Sequence, residues 1–71
     1  QLVYEEFTIE PLVPITNIEM KILNTLGQEI RTIRLSEIKQ IIHVEDLNPG
    51  IYLLNFLKDN HLISMNKIIK R

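Results

Sequence analysis

The chain has 71 residues, enough for one compact domain near the lower limit of what folds on a hydrophobic core alone, and no room for a second. Eight basic and nine acidic residues leave a net charge of −1, so no field gathers a polyanion, and nucleic acid is not an expected partner. With no cysteine, a disulfide scaffold, a thiolate metal site and a cysteine nucleophile are excluded together, while the redox compartment stays open.

Apolar residues fall in short runs of period two, with turn residues about every ten positions, the pattern of an antiparallel sandwich. The first run, Val3 to Glu10, carries Phe7-Thr8-Ile9 and ends at Pro11, whose missing N–H stops a ladder. Pro14 then holds the chain to extended or turn geometry. From Asn17 to Leu23 the alternation is clear, with Ile18, Met20 and Ile22 on one face and Glu19 and Lys21 on the other. Asn24-Thr25-Leu26-Gly27 supplies a turn in which Gly27 takes positive φ, and Gln28 to Arg34 returns as the second strand of a hairpin. Leu35 to Lys39 has helical leanings but is too short to stand as a helix, so a connection is expected.

Gln40 to Val44 is a further short strand, and Asn48-Pro49-Gly50 is a strong turn signal. Ile51 to Leu57 is apolar on both faces, which suits a central strand, and Asp59-Asn60 turns the chain into a last strand from His61 to Lys70. No apolar run nears the roughly 18 residues needed to span a bilayer, the longest being Ile51 to Leu54, and a soluble domain is expected. The first six residues have neither a basic nor an apolar signal region, so any ordinary export signal would lie upstream.

Three segments then stand out by order and spacing: Ile18 to Ile30 with its Asn24-Thr25-Leu26-Gly27 turn, Leu47-Asn48-Pro49-Gly50-Ile51-Tyr52, and Lys67-Ile68-Ile69-Lys70-Arg71. Packing alone accounts for each. Leu26 and Leu47 would cover the ends of a sandwich, Gly50 would admit close backbone approach, and Tyr52 would bury a ring while keeping its hydroxyl for a hydrogen bond. As an ordered set they resemble the type A C-terminal sorting domain of the type nine (Por) secretion system of Bacteroidetes, over roughly Phe7 to Arg71. Members of that family usually open with a strand closing in Tyr-Pro-Asn-Pro, and Gln1-Leu2 stand here where Asn-Pro would. The expected fold is therefore an immunoglobulin-like antiparallel sandwich of six to seven strands, one domain over 1–71 that lacks its first strand.

The resemblance implies a sorting address that directs an upstream cargo across the outer membrane and is removed in many members by a sortase. The implied partners are the translocon, the sortase components and the cargo itself, and the implied route runs through the periplasm to the cell surface. Candidate recognition residues are Leu26, Gly27, Leu47, Gly50, Tyr52, Lys67, Ile68, Ile69, Lys70 and Arg71. The basic tail also reads as a guard against edge-to-edge aggregation. An unpaired sheet edge would let the isolated chain form a homodimer by strand exchange or edge pairing. The alternative function is an immunoglobulin-like spacer or adhesive module of a surface protein.

No enzyme, metal or cofactor is expected. His43 and His61 sit on separate strands without ligand spacing, and surface positions suit both. The acids Glu5, Glu6 and Glu10, and Glu45 and Asp46, lie in or beside loops where carboxylates are solvated. Ser36 and Ser64 have no nucleophile elbow, two glycines make no phosphate loop, and Tyr4, Phe7, Tyr52 and Phe56 fall at strand positions suited to a core.

Overall fold

The computed structural model describes residues 1–10, 17–36 and 38–71, and among them the chain forms seven strands and no helix. The strands are β1 (Leu2–Val3), β2 (Glu6–Ile9), β3 (Ile18–Leu23), β4 (Glu29–Arg34), β5 (Gln40–His43), β6 (Gly50–Lys58) and β7 (His61–Lys70). They build a five-stranded sheet in the order β1-β7-β6-β3-β4 and a two-stranded sheet of β2 and β5. All pairings are antiparallel except that of β1 with β7, which is parallel. The expectations placed on Pro11 and Pro14 fall outside the described residues.

Alternation in β3 does what the sequence asks of it. Ile18, Met20 and Ile22 are buried on the inner face, while Glu19 and Lys21 turn outward to ion pairs with Arg34 at 3.3 Å and Glu29 at 3.1 Å. Phe7 of β2 and Ile42 of β5 enter the same buried cluster as those three residues, together with Tyr52 and Leu54 of β6 and Ile68 of β7. The two sheets thus close on one core in a sandwich-like arrangement, with Val44, Leu35 and Leu47 filling it from the connections.

Two β-bulges interrupt the ladders. Ile22 pairs with Arg31 and Leu23 with Glu29, so Ile30 has no partner between them and its side chain is left exposed. Phe56 pairs with Ser64 and Leu57 with Leu62, which leaves Ile63 as the extra residue of β7. The β6–β7 turn at Asp59-Asn60 has φ of 49° and 66° at its two central residues, both positive, the geometry that matches the twist of a tight hairpin.

The front of the chain departs from the reading of one run over Val3 to Glu10. A bend at Tyr4 and Glu5 carries the chain from the five-stranded sheet to the two-stranded one, so that run divides into β1 and β2. Tyr4 lies on the crossing and is 62% exposed, which corrects its placement in the core; Phe7 and Tyr52 are buried and Phe56 packs against the cluster. The segment Leu35 to Lys39 contains no helix at its described residues. β6 is central, between β3 and β7, but buries only one face: Tyr52 and Leu54 point inward, and Ile51 on the other face is exposed.

The shared core is testable from its smaller sheet. Ile42→Ala should cost about 2–5 kcal/mol, as for other large-to-small core changes, against the roughly 5 kcal/mol a domain of this size can be expected to hold. Urea unfolding measures it, and a loss below about 1 kcal/mol would mean that β2 and β5 are peripheral to the fold.

Candidate functional site

Antiparallel register brings the three motif segments, far apart in sequence, to one end of the five-stranded sheet. Leu23 lies opposite Leu53, and Gly50 lies opposite Lys70, so β3 finishes, β6 begins and β7 finishes at the same end. The turn holding Leu26 and Gly27, the turn leading into Gly50 and Tyr52, and the tail from Lys67 to Arg71 therefore gather there, with β1 lying beside Ile69 and Lys70.

Local hydrogen bonds fix each turn. The Asn24 side-chain oxygen accepts from the backbone N–H groups of Leu26 at 3.0 Å and Gln28 at 2.9 Å, and its amide donates to the Gln28 side chain at 2.7 Å. One asparagine thus organises the whole reversal, the local side-chain-to-backbone bonding that favours this residue in turns. Gly27 has φ of 81°, in the region a glycine adopts without cost, as expected. Leu26 is 83% exposed, which corrects the expectation that it covers the end of the sandwich: held between Asn24 and Gly27, it projects from the tip of the turn. Leu47 does cover that end and is buried.

Tyr52 buries its ring and its hydroxyl donates to the Asn48 carbonyl at 2.7 Å, tying strand β6 back to the turn that launches it. Gly50 has φ of 155°, and a Cβ built there would meet nothing within 4 Å. Close backbone approach is therefore not the reason for this glycine; the backbone angle is.

Arg31 is the residue that sequence reasoning left without a role. Its guanidinium donates to the His43 carbonyl at 2.7 Å and to an Asp46 carboxylate oxygen at 2.6 Å, bridging β4 to the β5–β6 connection. These partners lie 12 and 15 positions away along the chain, a separation at which no sequence period signals a contact. Asp46 is accordingly engaged, where a solvated loop acid was expected. The hydrogen bond from Arg31 holds its carboxyl below the usual carboxylate value, and the positive charge of Lys70 acts in the same sense. The Lys21 ammonium lowers Glu29 likewise, followed by the hydroxyl of Thr32.

The basic tail is not a single exposed cluster. Ile68 and Lys70 face the interior, and the buried Lys70 amine donates to the Arg71 carbonyl at 2.8 Å, so only Lys67 and Arg71 present charge to solvent. On the outer face Leu2, Ile69 and Ile51 stand side by side across three strands, all exposed. The end of the sheet offers an apolar row beside two cations. His43 lies 3.8 Å from Glu6 and 3.9 Å from Glu45, His61 is exposed on β7, and among the described residues no group of three acids and histidines is gathered as a metal site.

Compared with known protein families, residues 3–71 match the secretion system C-terminal sorting domain. The chain belongs to this family. That match spans every strand from β2 to β7 and takes in all three motif segments, so the ordered set that carried the resemblance belongs to a sorting signal of the type nine secretion system. The family is one of sorting signals and not of enzymes. No curated protein and no solved structure matches the chain.

Two measurements test the end of the sheet. Gly27→Asn should cost less than about 1 kcal/mol, since asparagine tolerates left-handed φ, whereas Gly50→Asn should cost about 1–3 kcal/mol; equal costs would remove the distinction. Because the Asp46 value is depressed, its pairing with Arg31 stabilises the fold fully above the ordinary carboxylate value of about 3.9 and is lost as pH falls through the lower folded-state value. Asp46→Asn should therefore lower the urea midpoint at pH 7 and lose its effect in strong acid; a midpoint difference independent of pH would mean the ion pair is not its source.

Proposed function

We propose that this domain is the address of an exported cargo: it directs a protein joined upstream of it across the outer membrane, and is read there as a folded module. The observation that carries the reading is the convergence of Leu26, Gly27, Leu47, Gly50 and Tyr52 with the tail from Lys67 to Arg71 on one end of a single sheet. A receptor meeting that end finds a fixed shape, an apolar row of Leu2, Ile69 and Ile51, and the cations Lys67 and Arg71. Apolar contact supplies affinity and the flanking charges set orientation, as in protein interfaces generally. The domain is the substrate of the translocon and of a sortase that removes it, while the cargo continues from the periplasm to the cell surface.

The roles of the motif residues divide by geometry. Gly27, Leu47, Gly50, Tyr52 and the inward Ile68 and Lys70 shape the presenting end, and Leu26, Lys67, Ile69 and Arg71 contact the receptor. Taken together, the sandwich reads as one immunoglobulin-like domain over residues 1–71. In the isolated chain, the edge of β7 from His61 to Asn66, with which no described residue pairs on the β1 side, supports pairing with a second copy.

Fusing residues 1–71 to a periplasmic reporter in a secretion-competent host tests the reading. Surface delivery is expected, and it should fall when Lys67 to Arg71 are deleted. Since deletion also removes the buried Ile68 and Lys70, a second arm carries Lys67→Glu with Arg71→Glu, which spares the core. Undiminished delivery in both arms would refute recognition at this end of the sheet.

A further inference from the structure

The outer face of the five-stranded sheet is mainly apolar over β6 and β7 and charged over β3 and β4. By pairing register, Leu53 and Asn55 of β6 share that face with Met65 and Lys67 of β7 and with Lys21 and Leu23 of β3. Glu29 of β4 stands opposite Leu23. Ile51, Leu62, Met65 and Ile69 are exposed, and Leu23 and Leu53 are half-buried. A contiguous apolar surface on so small a domain marks a contact with another protein.

Two polar groups on this face are left over. Among the described residues, the exposed Lys67 ammonium meets no carboxylate, while Lys21 and Arg34 are each in an ion pair. Asn55 lies between Lys21 and Met65, and its side-chain oxygen is buried without a hydrogen-bond donor. Such an acceptor is a cost that a single copy does not offset.

A second copy of the chain supplies what both groups lack. Consider a half turn about an axis that lies in the interface and runs along the strands, between β3 and β6. It lays β6 over the partner's β3 and β7 over the partner's β4, and each contact occurs twice. Leu53 then meets the partner's Leu23 at the centre, and Lys67 meets the partner's Glu29 at the flank. We propose that two copies of this domain pack outer face to outer face in this way, with the Lys67–Glu29 ion pairs freeing each Lys21 to donate to the Asn55 beside it.

Stacked sheets lie about 10 Å apart with their strands within about 30° of one another, so facing rows of side chains stay within reach. The broad face of the molecule measures 31 Å by 24 Å. Overlap of β7, β6, β3 and β4 covers roughly 600 Å² a side, the lower end of stable interfaces, so the dimer forms at high concentration and dissociates on dilution. This contact goes beyond the sorting reading and does not depend on it. A copy added at the edge of β7 would leave the face open, so the two contacts are separable.

Sedimentation equilibrium of the 71-residue chain tests the proposal. Twice the 8.4 kDa mass is expected at about 500 µM, and the monomer at about 1 µM. Lys67→Glu and Glu29→Lys should each weaken the dimer about tenfold by setting like charges against each other, and the two together should restore it. Both positions are exposed, so the core is spared. A monomer at the higher concentration, a dimer indifferent to the reversals, or a double variant weaker than either single one would each overturn the proposal.

Discussion

The inward side chains of β3 and β6 are what everything else hangs on. Ile18, Met20 and Ile22 lie beside Leu54 and Tyr52 across the central pairing of the larger sheet, and the smaller sheet closes over them with Phe7 and Ile42. A chain of this length buries a modest share of its surface, so a single core must hold both sheets. The positions of the turns follow from that one contact, since the register that seats Leu54 against Ile22 also brings the ends of β3, β6 and β7 together.

Most of the fold was legible in the sequence because period two and turn chemistry are local signals. The β3–β4 and β6–β7 hairpins, the central place of β6 and the buried, hydrogen-bonded Tyr52 all follow from neighbouring residues. What was not legible depends on contacts made at a distance. Tyr4 looks like core by alternation, yet the chain changes sheets there, a choice set by where β5 and β7 stand. Leu26 reads as a covering residue until the bonds from Asn24 set it at the tip of its turn.

The candidate site shows the same division. The motifs and their order were visible, and the family match over residues 3–71 agrees with them. Their meeting at one end of the sheet was not, because it depends on which strands pair. Arg31 is the plainest case: a strand arginine whose partners come from the far side of β5 has no signature in any short window. Lys70 is the converse, a charge that composition assigns to a basic tail and that the parity of β7 turns inward.

The parallel seam between β1 and β7 joins the second residue of the chain to the sixty-ninth. During synthesis β1 must wait for β2 to β6 to be made before β7 is there to pair with it, and β6, the middle of the sheet, arrives almost as late. A prematurely terminated chain lacking β7 leaves β6 with only β3 beside it and strips Ile68 from the core. The finished end of the sheet therefore depends on β7, since the surface formed by Leu2, Ile69 and Ile51 exists only when β7 has been made in full.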